Sequence, residues 1–279
     1  MSGLEIEGLC ITIGDRDVVH AVDLHVEPGT CVGLVGESGS GKSLTALASL
    51  GLLPHAARVT AGRILLGGSE TVAPGRDGTA KVRGSGITMI FQSPRAALNP
   101  VLRVGYQVER VLRRKGRGDD LTRRSVELLG AVGLLGPDQV ARRYPHELSG
   151  GMCQRVLIAM AIASEPQVLI ADEPTTALDV TVQADILDLL DDLRSRTGMG
   201  MLLISHDLSV VAERCESIFV MRQGAIVEAG PSRTVINSPV HPFTAELVRD
   251  LTRPQETTPQ SARSSPAGPA GDPAEDADG

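Results

Sequence analysis

Short runs of apolar residues, bounded by glycine, proline or polar residues, alternate along the chain with amphipathic patterns of helical spacing. Some runs are rich in β-branched residues and others are continuously apolar, and both patterns are typical of strands. We expect strands at 4–13, 18–26, 31–35, 62–68, 87–91, 168–171, 201–204, 217–221 and 224–228. The last two form a predicted hairpin. Strands that alternate with helices in this way indicate an α/β fold.

Helices are predicted where apolar side chains recur three and four residues apart. They cover 44–52, 149–163, 182–193, 231–237 and 241–251. From about 95 to 155 the pattern is helical and strand signals are absent, so we expect a helical subdomain inserted in the α/β core. Residues 69–80 are predicted to form a loop.

The composition changes near the C-terminal end. From Thr252 onward the sequence is dominated by Pro, Ala, Gly, Ser, Asp and Glu, and it has no large apolar residue to bury. We therefore predict one folded domain over 1–251 and a disordered tail over 252–279.

Charge and cysteine usage narrow the partners and the compartment. The 279 residues carry a net charge of −7 and a pI of about 5.4, so we expect no nucleic-acid partner. The four cysteines lack metal-binding spacing, which indicates small buried side chains in a reducing compartment. No apolar run approaches the roughly 20 residues that span a bilayer. The expected location is cytoplasmic, with any membrane connection made through partners.

One local cluster of basic residues contrasts with the acidic background. It lies in the predicted helical subdomain and comprises Arg110, Arg113, Arg114, Lys115, Arg117, Arg123 and Arg124. A solvated helix face is one interpretation, because runs of charge usually face water. A surface that faces anionic lipid or an acidic partner is the other.

The segment between the third strand and the first helix carries a phosphate-binding motif. Residues 36–43 read GESGSGKS and fit G-x-x-x-x-G-K-[ST]. The glycines let backbone N–H groups point at phosphates, Lys42 can reach the β- and γ-phosphates, and Ser43 can bind Mg²⁺. The candidate nucleotide-binding residues are Gly36, Glu37, Ser38, Gly39, Ser40, Gly41, Lys42, Ser43 and Leu44.

Two carboxylates follow the apolar strand 168–171. Asp172 at this strand end can lie beside the phosphate loop and hold Mg²⁺. Glu173 can polarise a water for attack on the γ-phosphate. His206 follows the next strand and lies on the same edge of the sheet, where it can sense the γ-phosphate.

A second helix N-terminus follows Leu148. Ser149 is a good N-cap, and the small residues after it leave backbone N–H groups free for an anion. One chain seldom needs two such sites for one nucleotide. The segment 148–155, LSGGMCQR, therefore hints at a site that serves the nucleotide of a neighbouring subunit.

Over residues 3–250 the chain resembles an ATP-binding-cassette (ABC) ATPase, the nucleotide-binding subunit of an ABC transporter. The motifs occur in the family's order: the Walker A loop 36–43, Gln92 of the Q-loop, the signature 148–155, Asp172-Glu173 of Walker B, Ala177-Leu178-Asp179 of the D-loop and the switch residue His206. The resemblance implies a P-loop NTPase core with an N-terminal antiparallel β subdomain and an inserted helical subdomain. It also implies ATP and Mg²⁺ as cofactors.

The resemblance further implies a head-to-tail dimer that sandwiches two ATP molecules. Lys42, Glu173 and His206 would be catalytic, and Ser43, Gln92 and Asp172 would hold Mg²⁺. The D-loop residue is Asp179, and the signature residues toward the partner's ATP are Leu148, Ser149, Gly150, Gly151 and Gln154. The expected partners are a second ABC ATPase, identical or paralogous, and two membrane permease subunits, with an extracytoplasmic solute-binding protein acting indirectly. The expected location is the cytoplasmic face of the membrane.

One position departs from the family. Family members usually place an aromatic residue near Ile13 to stack on adenine, and an aliphatic side chain loses roughly 0.5–1.5 kcal/mol of ring stacking. We therefore hypothesise that Ile13 contacts the base with weak discrimination.

The finer resemblance is to the peptide/nickel importer branch. It is carried by 36–45, by IFQSPRAALNP at 90–100, by YPHE at 144–147 and by HPFT at 241–244, which is similar to the branch's HPYT element. Many members continue with cysteines that can hold an iron–sulfur cluster, but no cysteine follows Cys215, so we predict no cluster. The solute is expected to be a di- or oligopeptide, with nickel or a metal chelate as the alternative.

Two other function classes fit the sequence less well. A soluble ABC ATPase that acts on DNA or the ribosome would be expected to carry two cassettes, long insertions or a basic surface, and none of these is present. A non-hydrolysing regulatory subunit is disfavoured because Glu173 and His206 are both intact.

Overall fold

The computed structural model describes residues 3–77, 86–116, 120–176 and 178–252. Its strands are β1 (Leu4–Ile13), β2 (Arg16–Val26), β3 (Cys31–Val35), β4 (Ala57–Leu66), β5 (Ser69–Ala73), β6 (Arg76–Asp77), β7 (Ile87–Ile90), β8 (Val168–Asp172), β9 (Gly200–Ser205), β10 (Ser217–Arg222) and β11 (Ala225–Pro231). An antiparallel sheet has the order β2-β1-β4-β5-β6, and the second sheet has the order β11-β10-β3-β9-β8-β7. In the second sheet only β11 pairs antiparallel among the described strands. The predicted α/β fold is confirmed.

The described helices lie in the chain segments that follow strands β3, β7, β8, β9 and β11 of the second sheet. They are α1 (Lys42–Ser49), α2 (Pro94–Ala97), α3 (Val104–Arg114), α4 (Leu121–Ala131), α5 (Pro137–Ala141), α6 (Gly150–Ala163), α7 (Val180–Thr197), α8 (Leu208–Arg214), α9 (Ser232–Asn237) and α10 (Pro242–Thr252). Between β7 and β8 the regular elements of the described residues are all helical, α2 to α6 and one 3₁₀ turn at Pro145–Glu147. The tail from 253 onward, Arg117 and Ala177 lie outside the described residues.

One prediction about local structure was wrong. Residues 69–73 and 76–77 form strands β5 and β6 rather than a loop. The segment is short and polar, but Thr71 and Val72 are buried, and the antiparallel pairing with β4 places them against the core. The strand predicted at 62–68 begins earlier, at Ala57, because its first half pairs with β1.

The parallel sheet separates two hydrophobic cores. On β8, Val168 and Ile170 face the core shared with the antiparallel sheet, whereas Leu169 and Ala171 face the core shared with the helices. Successive side chains of a strand point to opposite faces, so strands covered on both faces are continuously apolar. This is why the apolar runs of the sequence located β3, β8 and β9 correctly.

Close packing fixes α8 against the sheet at Gly33. A Cβ atom at this position would lie 1.9 Å from Cγ1 of Val211 on α8. The missing side chain therefore lets α8 pack directly on β3, next to the strand that enters the phosphate loop.

The cysteines are free, as their spacing indicated. Cys31, Cys153 and Cys215 are buried, and Cys10 is half-buried. The Sγ atoms of Cys31 and Cys215 lie 3.2 Å apart between β3 and the end of α8. None of the helices among the described residues is long and apolar enough to cross a membrane.

Candidate nucleotide site

The phosphate loop joins β3 to α1 and depends on three glycines in the left-handed region. The φ angles of Gly36, Gly39 and Gly41 are 154°, 80° and 106°. A Cβ atom at Gly36 would lie 2.0 Å from the carbonyl oxygen of Met221. Only glycine fits this conformation and this close approach. The loop therefore leads into the N-terminus of α1, where Lys42 is the first helical residue.

Lys42 lies across the loop that precedes it. Its Nζ donates hydrogen bonds to the carbonyl oxygens of Gly36 and Glu37 at 2.7 and 2.8 Å, and the side chain is buried. Burial lowers the pKa of Lys42, and the nearby carboxylates of Glu173 and Asp172 partly oppose that shift. The ammonium group thus belongs to a compact charged cluster of the loop and the two acids.

Asp172 ends β8 beside the start of α1. Burial raises the pKa of its carboxyl group, and the charge of Glu173 raises it further, whereas a hydrogen bond from Ser43 and the charge of Lys42 act in the opposite direction. The structure therefore brings together Ser43 and Asp172, a hydroxyl and a carboxylate oxygen. Oxygen donors of this kind are the ligands that Mg²⁺ prefers, so the residues present fit the expected ion.

Glu173 adopts a strained backbone conformation directly after β8. Its φ is 46°, which is uncommon for a residue with a side chain, and its N–H donates to the carbonyl of Ile204 at 2.9 Å. Such strain concentrates at functional sites. The turn directs the carboxylate away from the direction that a continued strand would give it.

Three side chains contact the Glu173 carboxylate. Gln92 Nε2 and Thr176 Oγ1 donate to Oε2 at 2.6 and 2.9 Å, and His206 Nδ1 lies 3.2 Å from Oε1. Burial acts to raise the pKa of Glu173, but the hydrogen bonds from Thr176 and His206 outweigh it and the net pKa is lowered. The carboxylate is thus held ionised and oriented at the sheet edge.

The structure adds contacts at this edge of the sheet that the sequence did not predict. The side chain of Gln92, which the resemblance assigned to Mg²⁺, donates through its amide nitrogen to Glu173. Sequence reasoning missed Thr176, and its signal was a hydroxyl three residues after the acid, in the turn that follows β8. His206 is exposed on its outer side and lies beside Glu173, as its place after β9 predicts.

The signature segment lies at the N-terminus of α6. Ser149 Oγ accepts a hydrogen bond from the N–H of Met152 and so caps the helix. Leu148 and Gln154 are buried, and both polar atoms of the Gln154 amide have no hydrogen-bond partner among the described residues. A Cβ atom at Gly151 would lie 2.8 Å from Cγ1 of Val182, while Gly150 faces Leu178. Small residues here allow α6 to approach α7.

Asp179 caps the neighbouring helix α7. Its Oδ1 accepts from the N–H of Val182 at 3.0 Å. Within the described part of the chain, no hydrogen bond joins residues 148–155 to the phosphate loop 36–44. The second helix N-terminus is therefore not joined by hydrogen bonds to this chain's own phosphate loop.

Ile13 and the basic cluster lie outside this set of contacts. Ile13 ends β1 and is 37% exposed, so it can meet a ligand. On α3, Arg110, Arg113 and Arg114 are exposed along a groove of about 450 Å³. Arg123 forms ion pairs with Asp120 and Glu127 on its own surface. Arg123 is exposed and paired with acids on its own surface, a pattern typical of a solvated helix face.

The chain is similar to known ATP-binding proteins of ABC transporters. Residues 19–176 match the family model described as ABC transporter. The chain is 43% identical over 257 residues to the dipeptide transport ATP-binding protein DppD of Haemophilus influenzae, covering 90% of this chain and 78% of that protein.

Two solved structures share the fold. CbiO1 of Clostridium perfringens, part of the ABC transporter complex cbiONQ, superposes with a TM-score of 0.74 at 27% identity over 90% of this chain and 94% of that one. The ATP-binding cassette MJ0796, solved as a dimer in a post-hydrolysis state bound to ADP and Pi, gives 0.71 at 30% identity over 82% of this chain and 99% of that one.

Proposed function

Since the chain belongs to the ABC transporter family, we propose that it is the ATP-hydrolysing subunit of an importer of di- or oligopeptides. The observation that carries the ATPase assignment is the convergence of Lys42, Asp172 and Glu173 at the carboxyl edge of the parallel sheet. The peptide assignment is supported by the 43% identity to a dipeptide transport protein. ABC ATP-binding subunits are ATPases.

ATP binding is assigned to the phosphate loop and the start of α1. Backbone N–H groups of 36–44 and the positive end of the α1 dipole favour the phosphates. The Lys42 ammonium is poised to exchange its two loop carbonyl acceptors for phosphate oxygens. Ile13 is assigned to the base.

Ser43, Asp172 and Gln92 are proposed to hold the Mg²⁺ that accompanies ATP. A bound Mg²⁺ supplies positive charge that offsets the charge of the phosphates. Asp172 is suited to this role because burial raises the pKa of its carboxyl group, and a bound cation would stabilise the charge of its carboxylate.

Hydrolysis is assigned to Glu173. The ionised carboxylate can accept a proton from the water that attacks the γ-phosphate, and Lys42 stabilises the charge that develops on the phosphate oxygens. Gln92, Thr176 and His206 orient the carboxylate. His206 can also sense the γ-phosphate, because it bridges Glu173 and solvent.

Residues 148–154 and Asp179 are proposed to complete the site of a second ABC ATPase in a head-to-tail dimer. The dimeric state of MJ0796 supports this arrangement. The second subunit is a copy of this chain or a paralogue. We further propose that residues 1–251 form the ATPase domain and that its helical subdomain, α2 to α6, docks on the membrane-spanning partner at the cytoplasmic face of the membrane. The complex would contain two permease subunits. An extracytoplasmic solute-binding protein would act through the permease.

The ATPase assignment is tested by phosphate release from the purified chain. We expect Glu173→Gln to bind ATP but to hydrolyse it about 10²–10⁴-fold more slowly, because the general base is lost. Glu127→Gln, an exposed change on α4, is the matched control and should retain the wild-type rate. Near-wild-type turnover by Glu173→Gln would contradict the assignment.

The solute is tested by uptake in a strain that lacks this chain. We expect loss of dipeptide uptake and its restoration by the wild-type chain but not by Glu173→Gln. Loss of nickel uptake with normal peptide uptake would replace the peptide by the metal alternative.

A further inference from the structure

The turn between β10 and β11 contacts the phosphate loop directly. The N–H of Gly224 donates to the carbonyl of Ser40 at 2.9 Å, and the carbonyl of Gly224 accepts from the N–H of His20 at 2.8 Å. The turn therefore links the centre of the phosphate loop to β2. These are backbone contacts, so they depend on the position of the turn rather than on its side chains.

The phosphate loop packs against Met221, the second-last residue of β10. Met221 is fully buried, its carbonyl oxygen limits the approach of Gly36, and its terminal methyl would lie 2.8 Å from a Cβ atom at Gly41. The first and last glycines between Gly36 and Gly41 thus pack on one residue. A shift of the turn would be transmitted to both ends of this glycine segment.

The turn is a two-residue hairpin loop with positive φ at both positions, and one of the two residues carries a side chain. Gln223 has φ 47° and Gly224 has φ 84°. A Cβ atom at Gly224 would lie 2.6 Å from both the His20 ring and the carbonyl of Val18. A left-handed residue with a side chain, such as Gln223, costs free energy and persists only where the surroundings fix it.

Arg222, the residue immediately before the turn, is held by the C-terminal helix. Its guanidinium carbon lies 4.7 Å from the ring centroid of Phe243 on α10. Phe243 is 2% exposed, and Arg222 Nε is buried without a hydrogen-bond partner among the described residues. Among the described residues, the guanidinium therefore contacts the ring face of Phe243. Cation–π contacts of this kind strengthen when they are desolvated.

Glu228 on β11 holds the segment that leads into α10, the helix that carries Phe243. Its two carboxylate oxygens accept hydrogen bonds from the N–H groups of Val240 and His241, both at 2.9 Å. The ring of His241 in turn accepts from the N–H of Phe243 at 3.1 Å. The start of α10 is therefore attached to the same hairpin that carries Arg222.

We propose that Arg222 and Phe243 are positioning residues for the phosphate loop and thereby set the affinity of the chain for nucleotide. The path runs from Phe243 to Arg222, from Arg222 to the Gln223–Gly224 turn, and from the turn to Ser40. This gives the HPFT segment, residues 241–244, a role in nucleotide binding. The inference rests on the proposed assignment of ATP to the phosphate loop.

The test is the affinity of the purified full chain for a fluorescent ATP analogue, measured together with kcat at saturating ATP. We expect Phe243→Ala to raise Kd and KM for ATP about threefold to thirtyfold, which matches the loss of a buried cation–π contact. Because Glu173 is not on this path, kcat should change less than twofold. Phe243→Tyr keeps the ring and should retain the wild-type Kd.

Leu247→Ala is the matched control, since Leu247 lies one turn further along α10 and packs on the core. It should lower the melting temperature without changing Kd. If Phe243→Ala does not fold, Arg222→Met keeps the side-chain volume, removes the charge and should raise Kd in the same way. Equal changes of Kd in the Leu247 and Phe243 variants would overturn the inference.

The outcomes separate the inference from its premise. If the wild-type chain binds the analogue and neither Phe243→Ala nor Arg222→Met weakens binding, the positioning role is wrong and the ATPase assignment stands. If the wild-type chain binds no ATP analogue and releases no phosphate, the proposed function itself is wrong.

Discussion

At the scale of single residues, the proposed hydrolysis depends on how the Glu173 carboxylate is oriented. A carboxylate at the end of a strand can turn toward solvent, and such a group would be a poor base for a water held at a phosphate. Here Gln92, Thr176 and His206 fix both oxygens. Orientation of this kind contributes to catalysis because it removes the entropy cost of positioning from the reacting state.

Removing one of these contacts should slow hydrolysis without weakening ATP binding. In Thr176→Val the hydroxyl that donates to Glu173 is lost and the volume is conserved, so we expect kcat to fall about tenfold, the effect of one hydrogen bond to a charged group. KM for ATP should stay within twofold. Steady-state phosphate release measures both, and Thr175→Val is the neighbouring control. A rise of KM at constant kcat would assign Thr176 to binding instead.

Ile13 is proposed to affect a different property, the discrimination of the base. We expect Ile13→Tyr to tighten ATP binding about twofold to twelvefold, the range that ring stacking supplies. Titration with ATP and GTP measures it, and Val101→Tyr, on an exposed residue of the region between β7 and β8, is the control. A wild-type chain that prefers ATP strongly over GTP, with no change in Ile13→Tyr, would contradict the hypothesis.

At the scale of elements, helix ends and tight packing set the geometry of the site. Ser149 and Asp179 cap α6 and α7, and Gly151 lets the two helices meet at Val182. Gly33 does the same for α8 and β3. The helices α6, α7 and α8 are thus packed closely on one another and on the sheet.

The contact between β11 and the start of α10 should make stability depend on pH. Although burial acts to raise the pKa of Glu228, hydrogen bonds that include the N–H groups of Val240 and His241 lower it below its ordinary value of 4.5. A lowered folded-state pKa contributes stability that is present above the unfolded value and lost as the pH falls through the folded value.

We therefore expect Glu228→Gln to lower the free energy of unfolding by about 1–2 kcal/mol at pH 7, the cost of replacing a charged acceptor by a neutral one. The difference from wild type should shrink steadily below about pH 5. Urea unfolding at several pH values measures it, with Glu127→Gln as the control. A difference that is the same at pH 7 and pH 3 would show that the charge of Glu228 is not responsible.

At the scale of the whole molecule, the proposed function assigns two separate half-sites to each chain. The phosphate loop and the two acids lie at the carboxyl edge of the parallel sheet, whereas the capped N-terminus of α6 makes no hydrogen bond to that loop within the described residues. A head-to-tail dimer would bring each half-site to the half that it lacks. ATP would then be part of the interface, so ATP binding would favour the dimer and hydrolysis would release it.

We expect Glu173→Gln to form a dimer of about twice the 29.3 kDa chain mass when ATP is added, because ATP then persists in the interface. Light scattering measures the mass. In the double variant with Ser149→Asp, the aspartate still caps α6, but its charge should repel the partner's phosphates. This variant should bind ATP and remain a monomer. A wild-type-like dimer of the double variant would contradict the assignment of Ser149.

The sequence by itself located most of the fold. Strands covered on both faces leave continuous apolar runs, and this periodicity placed β3, β8 and β9 within a residue or two. It failed at β5 and β6, where two buried residues in a polar segment give too weak a period. These strands form because β5 pairs with β4, its neighbour along the chain, across the two-residue turn Gly67-Gly68. That glycine pair is a hairpin signal, which the apolar alternation alone does not use.

The candidate site likewise has one part that the sequence predicts and one part that it does not. The phosphate loop, the helix N-terminus that follows it and the Asp172-Glu173 pair could be predicted, because their chemistry depends on residues adjacent in sequence. The contacts of Glu173 with Gln92 and of Ser40 with Gly224, and the stacking of Arg222 on Phe243, were decided only by the tertiary structure. The first two pairs lie far apart along the chain and meet because the strand order of the second sheet brings their loops to one edge. Arg222 and Phe243 meet because Glu228 attaches the start of α10 to β11.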